Sequence, residues 1–418
     1  MTNYVLIGNS AAAVGCIEGI RQIDPEGAVT VVSREPYHTY SRPLISYLLC
    51  GKTDEQRMKY RPDDFYEKNN AAFLPGRTAE AVDPQAKTVA LDDGTILPYD
   101  KLLIAAGSTP FVPPIDGLES VKNRFSFMSL DDAHALEKAA APESRVLVLG
   151  AGLIGLKCAE GLAKRVGSLT VVDLADRILP NVLDAEAARL VQKHLEAHGI
   201  SFRLSDSVQS FAPGAALLKS GETLSFDILV TAVGVRPNTA LAVQAGCEVN
   251  RGIVTDDGCR TSVPDIYAAG DCTESLDITT GARRVLALLP NAYMQGECAG
   301  VHMAAEAVGT TTSVRYNRAI PMNAVGFFGL SIITAGDYQG EEYIAEKESE
   351  ETYKKLVTRD GLLKGYILVG NVARAGIYTS LIREKTPLDT IDFELIREKP
   401  QLMAFSRRER KRILSAAE

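Results

Sequence analysis

One short pattern occurs twice in this chain, and few folds can accommodate it twice. Val5, Leu6 and Ile7 lead into Gly8, Asn9, Ser10, Ala11, Ala12 and Ala13, while Val146 to Leu149 lead into Gly150, Ala151, Gly152, Leu153, Ile154 and Gly155. Each apolar run reads as a buried parallel strand, each small-residue cluster as a tight turn, and the following residues as a helix with free amides at its start. That order builds an anion cradle suited to a pyrophosphate, so the chain has the means to hold two dinucleotides. Two dinucleotides on one chain imply electron transfer between them.

At 418 residues the chain is too long for one core, and 46% hydrophobic residues suffice to fill two or three. The net charge of −8 argues against nucleic acid as the main partner, because neutralising phosphates needs a basic surface. No apolar run reaches the roughly 18 residues of a membrane span, and the N-terminus shows no signal-like segment. A cytoplasmic protein without a membrane partner is expected. Cys16, Cys50, Cys158, Cys247, Cys259, Cys272 and Cys298 are scattered without C-x-x-C spacing, so no metal site is expected.

In the first copy a strand is expected over 4–8, a helix over 11–23 and a second strand over 28–33. Ser10 takes the place of the second glycine and Ala13 that of the third, both small enough for close backbone approach. Ser33 stands where an acid usually receives the ribose hydroxyls, which leaves Glu35 as the candidate, against its alternative as a solvated loop carboxylate. Far along the chain, residues 263–271 read as a strand ending in Gly270 and Asp271. Asp271 can accept hydrogen bonds from a polyol chain or cap a following helix. With Ala105 and Gly107 in segment 104–110, this set resembles that of FAD-binding flavoproteins with two dinucleotide-binding folds.

The second copy is complete, with a strand over 145–150, a helix over 153–166 and Gly167 as its left-handed stop. The next strand ends at Asp173, 23 residues after Gly150, where a carboxylate accepts both adenosine ribose hydroxyls and repels a 2′-phosphate. NADH is therefore preferred over NADPH. The closing segments also repeat: 97–107 resembles 224–234, which brings Val233 and Gly234 to the second site, and Val235, Arg236, Pro237 and Asn238 follow. The second unit is inserted in the first, since Gly270–Asp271 comes after it. Crossings are expected near Pro113–Pro114 and Gly246. The expected class is α/β, two Rossmann-like dinucleotide-binding domains plus a small α+β C-terminal domain. The FAD-binding part covers 1–113 and 247–314, the NAD-binding part 114–246, and the C-terminal interface or acceptor domain 315–418.

Over essentially its whole length the chain resembles the pyridine nucleotide-disulfide oxidoreductase superfamily. The resemblance implies that the segment around Arg42 and Pro43 begins a helix beside the flavin. Disulfide reductases carry C-x-x-x-x-C there, and relatives with a single redox thiol place it about eight residues before the glycine, here Gly51; Pro43 occupies that place. Cys50 abuts Gly51, about two helical turns along, so it is not expected to reach the flavin. Arg42–Pro43 resembles instead the NADH:rubredoxin oxidoreductases, the flavin part of nitrite reductases and the ferredoxin reductases, and Tyr47, where ferredoxin reductases often have lysine, favours the rubredoxin-reductase-like branch. Strands about an Asp360–Gly361 turn, then a helix entered from 371–376, resemble the C-terminal domain of that branch.

The resemblance implies hydride transfer from nicotinamide C4 to flavin N5, held about 3–3.5 Å apart, and then passage of electrons to an iron–sulfur carrier. It also implies that Pro290, Asn291 and Ala292 start a helix whose dipole supports an anionic reduced flavin, beside the alternative of simple core packing. Lys157, two residues after Gly155 where relatives often have glutamate, is the candidate catalytic residue: a cation there favours electron-rich flavin, against the alternative of an exposed helix lysine. The basic cluster 406–412 offers a docking patch for an acidic carrier or a merely solvated helix. The main reading is an FAD-dependent NADH oxidoreductase serving a rubredoxin or ferredoxin-like carrier. Its rivals are an NADH oxidase or peroxidase and a redox-dependent regulatory or assembly flavoprotein. Monomer, homodimer and part of a larger redox complex all fit.

Overall fold

In the computed structural model, which describes residues 1–344, 351–408, 410 and 411, the first apolar run is the strand Asn3–Ile7 at the centre of a five-stranded parallel sheet. Ala28–Ser33 and Lys101–Ile104 flank it, with Ala71–Pro75 and Ile266–Ala268 at the edges. Leu6 lies opposite Val31 and Leu103, all fully buried. Continuous apolar runs are what a sheet covered on both faces requires. Tyr4, Leu6 and Val31 pack under the helices Ala11–Ile23 and Leu289–Ala307. Val5, Ile7 and Val32 face Val82, Val89 and Leu91 of a three-stranded antiparallel sheet.

The second half repeats this plan. Arg145–Leu149 is central in another five-stranded parallel sheet, between Ser168–Val172 and Ile228–Thr231, with Ile200–Arg203 and Arg124–Phe125 outermost. Val146 and Val148 meet Leu156, Ala159 and Leu162 of the helix Leu153–Leu162. Leu147 and Leu149 meet Phe211, Ala216 and Leu218 of a second three-stranded antiparallel sheet. The repeat thus includes the small covering sheets, which alternate too briefly to be read from sequence.

A short antiparallel ribbon joins the halves. Ser108–Pro110 pairs with Val235–Pro237, and Asn238 donates its backbone amide to Gly107 at 2.9 Å and its side-chain amide to Ala106 at 2.8 Å. Beyond it, Ala242, Ala245 and Cys247 already pack with Val82 and Tyr99 of the first half.

One expectation fails. The helix after the second turn stops at Leu162 rather than running to 166, and Gly167 is not in the left-handed region. Its role is close approach: a Cβ there would lie 2.9 Å from the Pro142 carbonyl oxygen.

The remaining residues form a five-stranded antiparallel sheet in the order Met322–Phe327, Leu330–Gly336, Leu362–Val369, Tyr353–Arg359, Glu341–Ile344. Asp360 and Gly361, with φ of 56° and 68°, make the expected turn. Alternation along Leu362–Val369 buries both faces. Ile367 and Val369 join the core of the second parallel sheet, while Tyr366 and Leu368 pack on Tyr378 and Leu381 of the helix Ala375–Glu384. Among the described residues no helix is long and apolar enough to cross a membrane.

Candidate functional site

Each turn is glycine for a steric reason. Gly8 has φ of 115° and a Cβ there would fall 2.2 Å from the Ala105 carbonyl oxygen; Gly150, with φ of 106°, stands in the same relation to Ala232 at 2.3 Å. Each turn is therefore pressed against the end of its closing strand, which places Ala105 and Gly107 beside the first turn and Val233 and Gly234 beside the second. A Cβ on Gly152 would meet nothing within 4 Å, whereas one on Gly155 would meet the Gly150 carbonyl at 2.0 Å. The second turn thus has a gap above Gly152 and a tight helix seat at Gly155, and Leu153 and Ile154 supply the first helical amides.

The helices Ala11–Ile23, Leu153–Leu162 and Leu289–Ala307 start at Ser10, Gly152 and Leu288, none of which caps its helix with a side chain. By contrast Ser129 and Asp184 cap the helices that follow them. The uncapped starts leave backbone donors for a ligand anion, and a pyrophosphate on the first two turns fits that donor set.

Gly270 brings parts of the first site together. A Cβ on it would lie 3.3 Å from that of Ala12 and 3.7 Å from that of Ala292. Its amide donates to Gln295 at 2.7 Å. Ala11 and Ala12 are buried, Pro290 sits in the first turn of Leu289–Ala307, and Asn291 reaches the Ile320 carbonyl at 3.4 Å. Asp271 follows, 3.5 Å from the Ser108 hydroxyl. Desolvation pushes its carboxyl above the usual range, with the nearby Arg42 cation and Ser108 pulling the other way.

Arg42 links the two acids of this site: its guanidinium bonds Glu35 at 2.5 Å and lies in the field of Asp271. Tyr40 donates to Glu35 at 2.7 Å and accepts from the Leu130 amide at 3.0 Å. Glu35 is therefore tied to Arg42 and Tyr40, not a free loop carboxylate. Pro43 is exposed in the turn Arg42–Leu44, ahead of the helix Ile45–Leu49. Cys50 is at the far end of that helix, its thiol 3.4 Å from the Tyr47 carbonyl.

In the second site Asp173 accepts the Ala151 amide at 2.6 Å and the Ala175 amide at 2.8 Å, which fixes its carboxylate against the glycine turn. Val233, whose backbone amide lies against the Gly150 turn, is exposed. Lys157 is not an exposed lysine, since its side chain keeps 16% of its accessibility. It pairs with Glu160, donates to the Gly326 carbonyl at 3.1 Å and lies 4.7 Å from the Tyr47 ring. Sequence reasoning missed Glu160; the signal available was opposite charge three residues along one helix.

No group of three or more His, Cys, Asp or Glu suited to a metal ion occurs among the described residues. In the basic cluster, Arg407, Arg408 and Lys411 are exposed and Arg410 is half-buried. Glu409 and Arg412 lie outside the described residues.

Residues 2–296 match the family model described as pyridine nucleotide-disulphide oxidoreductase, and residues 321–386 that of the rubredoxin NAD+ reductase C-terminal domain. The chain is 32% identical over 396 residues to the NADH-dependent phenylglyoxylate dehydrogenase subunit epsilon of Aromatoleum evansii, covering 93% of each. It is 33% identical over 393 residues to a nitrite reductase [NAD(P)H] of Bacillus subtilis, covering 92% of this chain but 47% of that one, so it spans about half the length of that relative. The solved putidaredoxin reductase–putidaredoxin complex superposes with a TM-score of 0.86 at 24% identity over 100% of this chain and 99% of that one, a likeness of fold.

Proposed function

This chain belongs to the pyridine nucleotide-disulphide oxidoreductase family, and from that premise we infer that it is an FAD-dependent NADH oxidoreductase delivering electrons to an iron–sulfur carrier of the rubredoxin or ferredoxin kind. The observation that carries the choice of acceptor is the segment Arg42–Leu49. Pro43 stands exposed where a redox thiol would stand, and Cys50 is turned back on Tyr47 at the far end of the helix. Electrons thus leave without a protein sulfur on the route. A C-terminal region that matches the rubredoxin NAD+ reductase domain supports the same reading.

In this proposal Gly8, Ser10, Ala11 and Ala12 hold the pyrophosphate of FAD on the first helix, Glu35 and Arg42 face its ribose and phosphates, and Asp271 holds its polyol chain. Ala105, Gly107, Gly270 and the Pro290–Ala292 helix start enclose the ring. Gly150, Gly152, Leu153, Ile154 and Gly155 take the pyrophosphate of NADH, Asp173 its ribose, and Val233 and Gly234 flank it. Held by these residues, FAD would supply hydride acceptance on the nicotinamide side and one-electron release on the carrier side, the chemistry that joins NADH to an iron centre. Lys157 supplies positive charge at the junction of the two bodies.

We extend the proposal to a cytoplasmic protein, monomeric, homodimeric or part of a larger redox complex. The division stays as 1–113 with 247–314 for FAD, 114–246 for NAD, and 315–418 for the acceptor side. Anaerobic stopped-flow reduction by NADH and NADPH, followed by mixing with rubredoxin or ferredoxin, tests it. Fast bleaching by NADH and re-oxidation by a carrier is expected. Re-oxidation by air alone would favour an oxidase, and loss of carrier reduction in Cys50→Ser with flavin reduction intact would overturn the route.

A further inference from the structure

The helix Leu153–Leu162 carries a buried acid to which the proposed function gives no role. Glu160 lies one helical turn beyond Lys157, and its side chain keeps 6% of its accessibility. A carboxylate so removed from water persists only when paired and hydrogen-bonded. Lys157 pairs with one of its oxygens; the other accepts the Phe328 backbone amide at 2.9 Å and lies 3.7 Å from the Lys52 ammonium.

These partners come from three separate parts of the chain. Lys157 shares the helix that opens at the second glycine turn, Lys52 follows the segment that begins at Arg42 and Pro43, and Phe328 is the tip of the hairpin joining Met322–Phe327 to Leu330–Gly336. The tip is held independently. Phe328, at φ 47°, stacks its ring on His198 with centroids 4.3 Å apart, and a ring nitrogen of His194 sits 3.1 Å from the Phe327 carbonyl. The Lys157 ammonium lies between the rings of Tyr47 at 4.7 Å and Phe327 at 5.4 Å. Its long stem has many alternative rotamers, and the Glu160 anion selects this one.

We propose that Glu160 is a positioning residue: it fixes the Lys157 ammonium between Tyr47 and Phe327, balances its charge, and ties the second dinucleotide body to the C-terminal sheet. The proposal rests on the assignment of Lys157 to the cofactor junction. It means that the flavin senses a paired cation rather than a bare one, and that the hairpin of the acceptor-side sheet is held in register with the hydride donor.

The test measures flavin midpoint potential by anaerobic titration of the full flavin-loaded chain in Glu160→Gln, Lys157→Gln and the double variant, together with kcat and KM for NADH. Gln at 160 still accepts the Phe328 amide but leaves Lys157 unbalanced. The potential should rise in Glu160→Gln, fall in Lys157→Gln, and rise by less when Glu160→Gln is added to Lys157→Gln than when it is made alone, since only the direct charge effect is left once there is no ammonium to place. The kcat for carrier reduction should drop roughly tenfold in Glu160→Gln with KM for NADH little changed, since the loss falls on ring placement rather than on NADH binding. An equal rise in both backgrounds, or no rise in Glu160→Gln while Lys157→Gln does shift, overturns the proposal alone. An unmoved potential in Lys157→Gln overturns the assignment of Lys157 itself. Should Glu160→Gln fail to load flavin, recovery of loading in the double variant supports the charge-balance role, and continued failure refutes it.

Discussion

The Asp173 carboxylate holds its own turn in shape with one lone pair on each oxygen, at 2.6 Å from the Ala151 amide and 2.8 Å from that of Ala175. A ribose bound there would find the remaining lone pairs, and the negative charge would repel a 2′-phosphate. Asparagine keeps one acceptor for Ala151 while discarding the charge, so Asp173→Asn should fold and load flavin normally. Hydrogen bonds to charged groups contribute about 1.5–3 kcal/mol. The kcat/KM for NADH should therefore fall roughly tenfold or more, and the NADH-to-NADPH preference should narrow by at least as much. Steady-state assays with both nucleotides check this, and an unaltered ratio would remove Asp173 from the ribose site. At this scale the sequence marks a candidate acid by its spacing from a glycine turn, as with Asp173, or by its place after a strand-ending glycine, as with Asp271. It is silent on Tyr47 against Lys157, because that contact joins residues far apart in the chain with no local pattern to mark it.

Among the helices, the pair that matters most is Ala11–Ile23 against Leu289–Ala307, since both start at the first site. They touch backbone to backbone: a Cβ on Gly15 would lie 2.3 Å from the Tyr293 carbonyl oxygen, on Gly19 2.3 Å from that of Glu297, on Gly296 1.9 Å from that of Ala12, and on Gly300 2.2 Å from that of Cys16. Two glycines four apart on each helix thus set how close the two N-termini stand. Gly296→Ala must push the Ala12 carbonyl aside in the middle of the cradle. Overpacking of this kind costs about 1–3 kcal/mol, and here the displaced group belongs to the candidate FAD site. The expected outcome is a lower melting temperature with reduced flavin content per chain. Gly376→Ala, which has open space around it in the helix Ala375–Glu384, should leave both unchanged or slightly improved. Equal behaviour of the two variants would refute the close-approach argument. The first helix is legible to its ends, since Gly8 starts its turn and Asp24–Pro25 stops it. The role of Gly167 is not, because a glycine after a helix signals a left-handed cap or a tight contact equally well in sequence, and only the Pro142 carbonyl beside it distinguishes them. The G-x-x-x-G pairs are present to be read, but their meaning depends on which helix faces which.

At the scale of the whole molecule the duplicated half explains the two nucleotide turns, and the C-terminal sheet explains how a third body joins them. Phe327, Leu330, Ile332 and Tyr353 share one core with the second parallel sheet, and Tyr353 donates to Asp184 at 2.7 Å. A carrier docking on this body would thus be coupled mechanically to the NADH-side half. Next to the helix Ala375–Glu384 runs a groove lined by Arg374, Ile377, Ser380, Leu402, Met403 and Phe405, with Met403 74% exposed. Exposed Arg407, Arg408 and Lys411 follow it in a chain whose net charge is −8. An apolar groove with one lining arginine, followed in the chain by a basic exposed stretch, suits an acidic carrier, because charge steers the encounter and apolar contact holds it. Such steering is screened beyond about 8 Å at physiological salt. Carrier reduction by the unaltered chain should therefore slow by roughly an order of magnitude between low and high ionic strength, a steepness typical of steered association. In Arg407→Gln/Arg408→Gln/Lys411→Gln the reaction should begin slow and stay nearly flat, while bleaching of the flavin by NADH keeps its rate. Parallel salt curves for the two proteins would place the docking face elsewhere on the molecule.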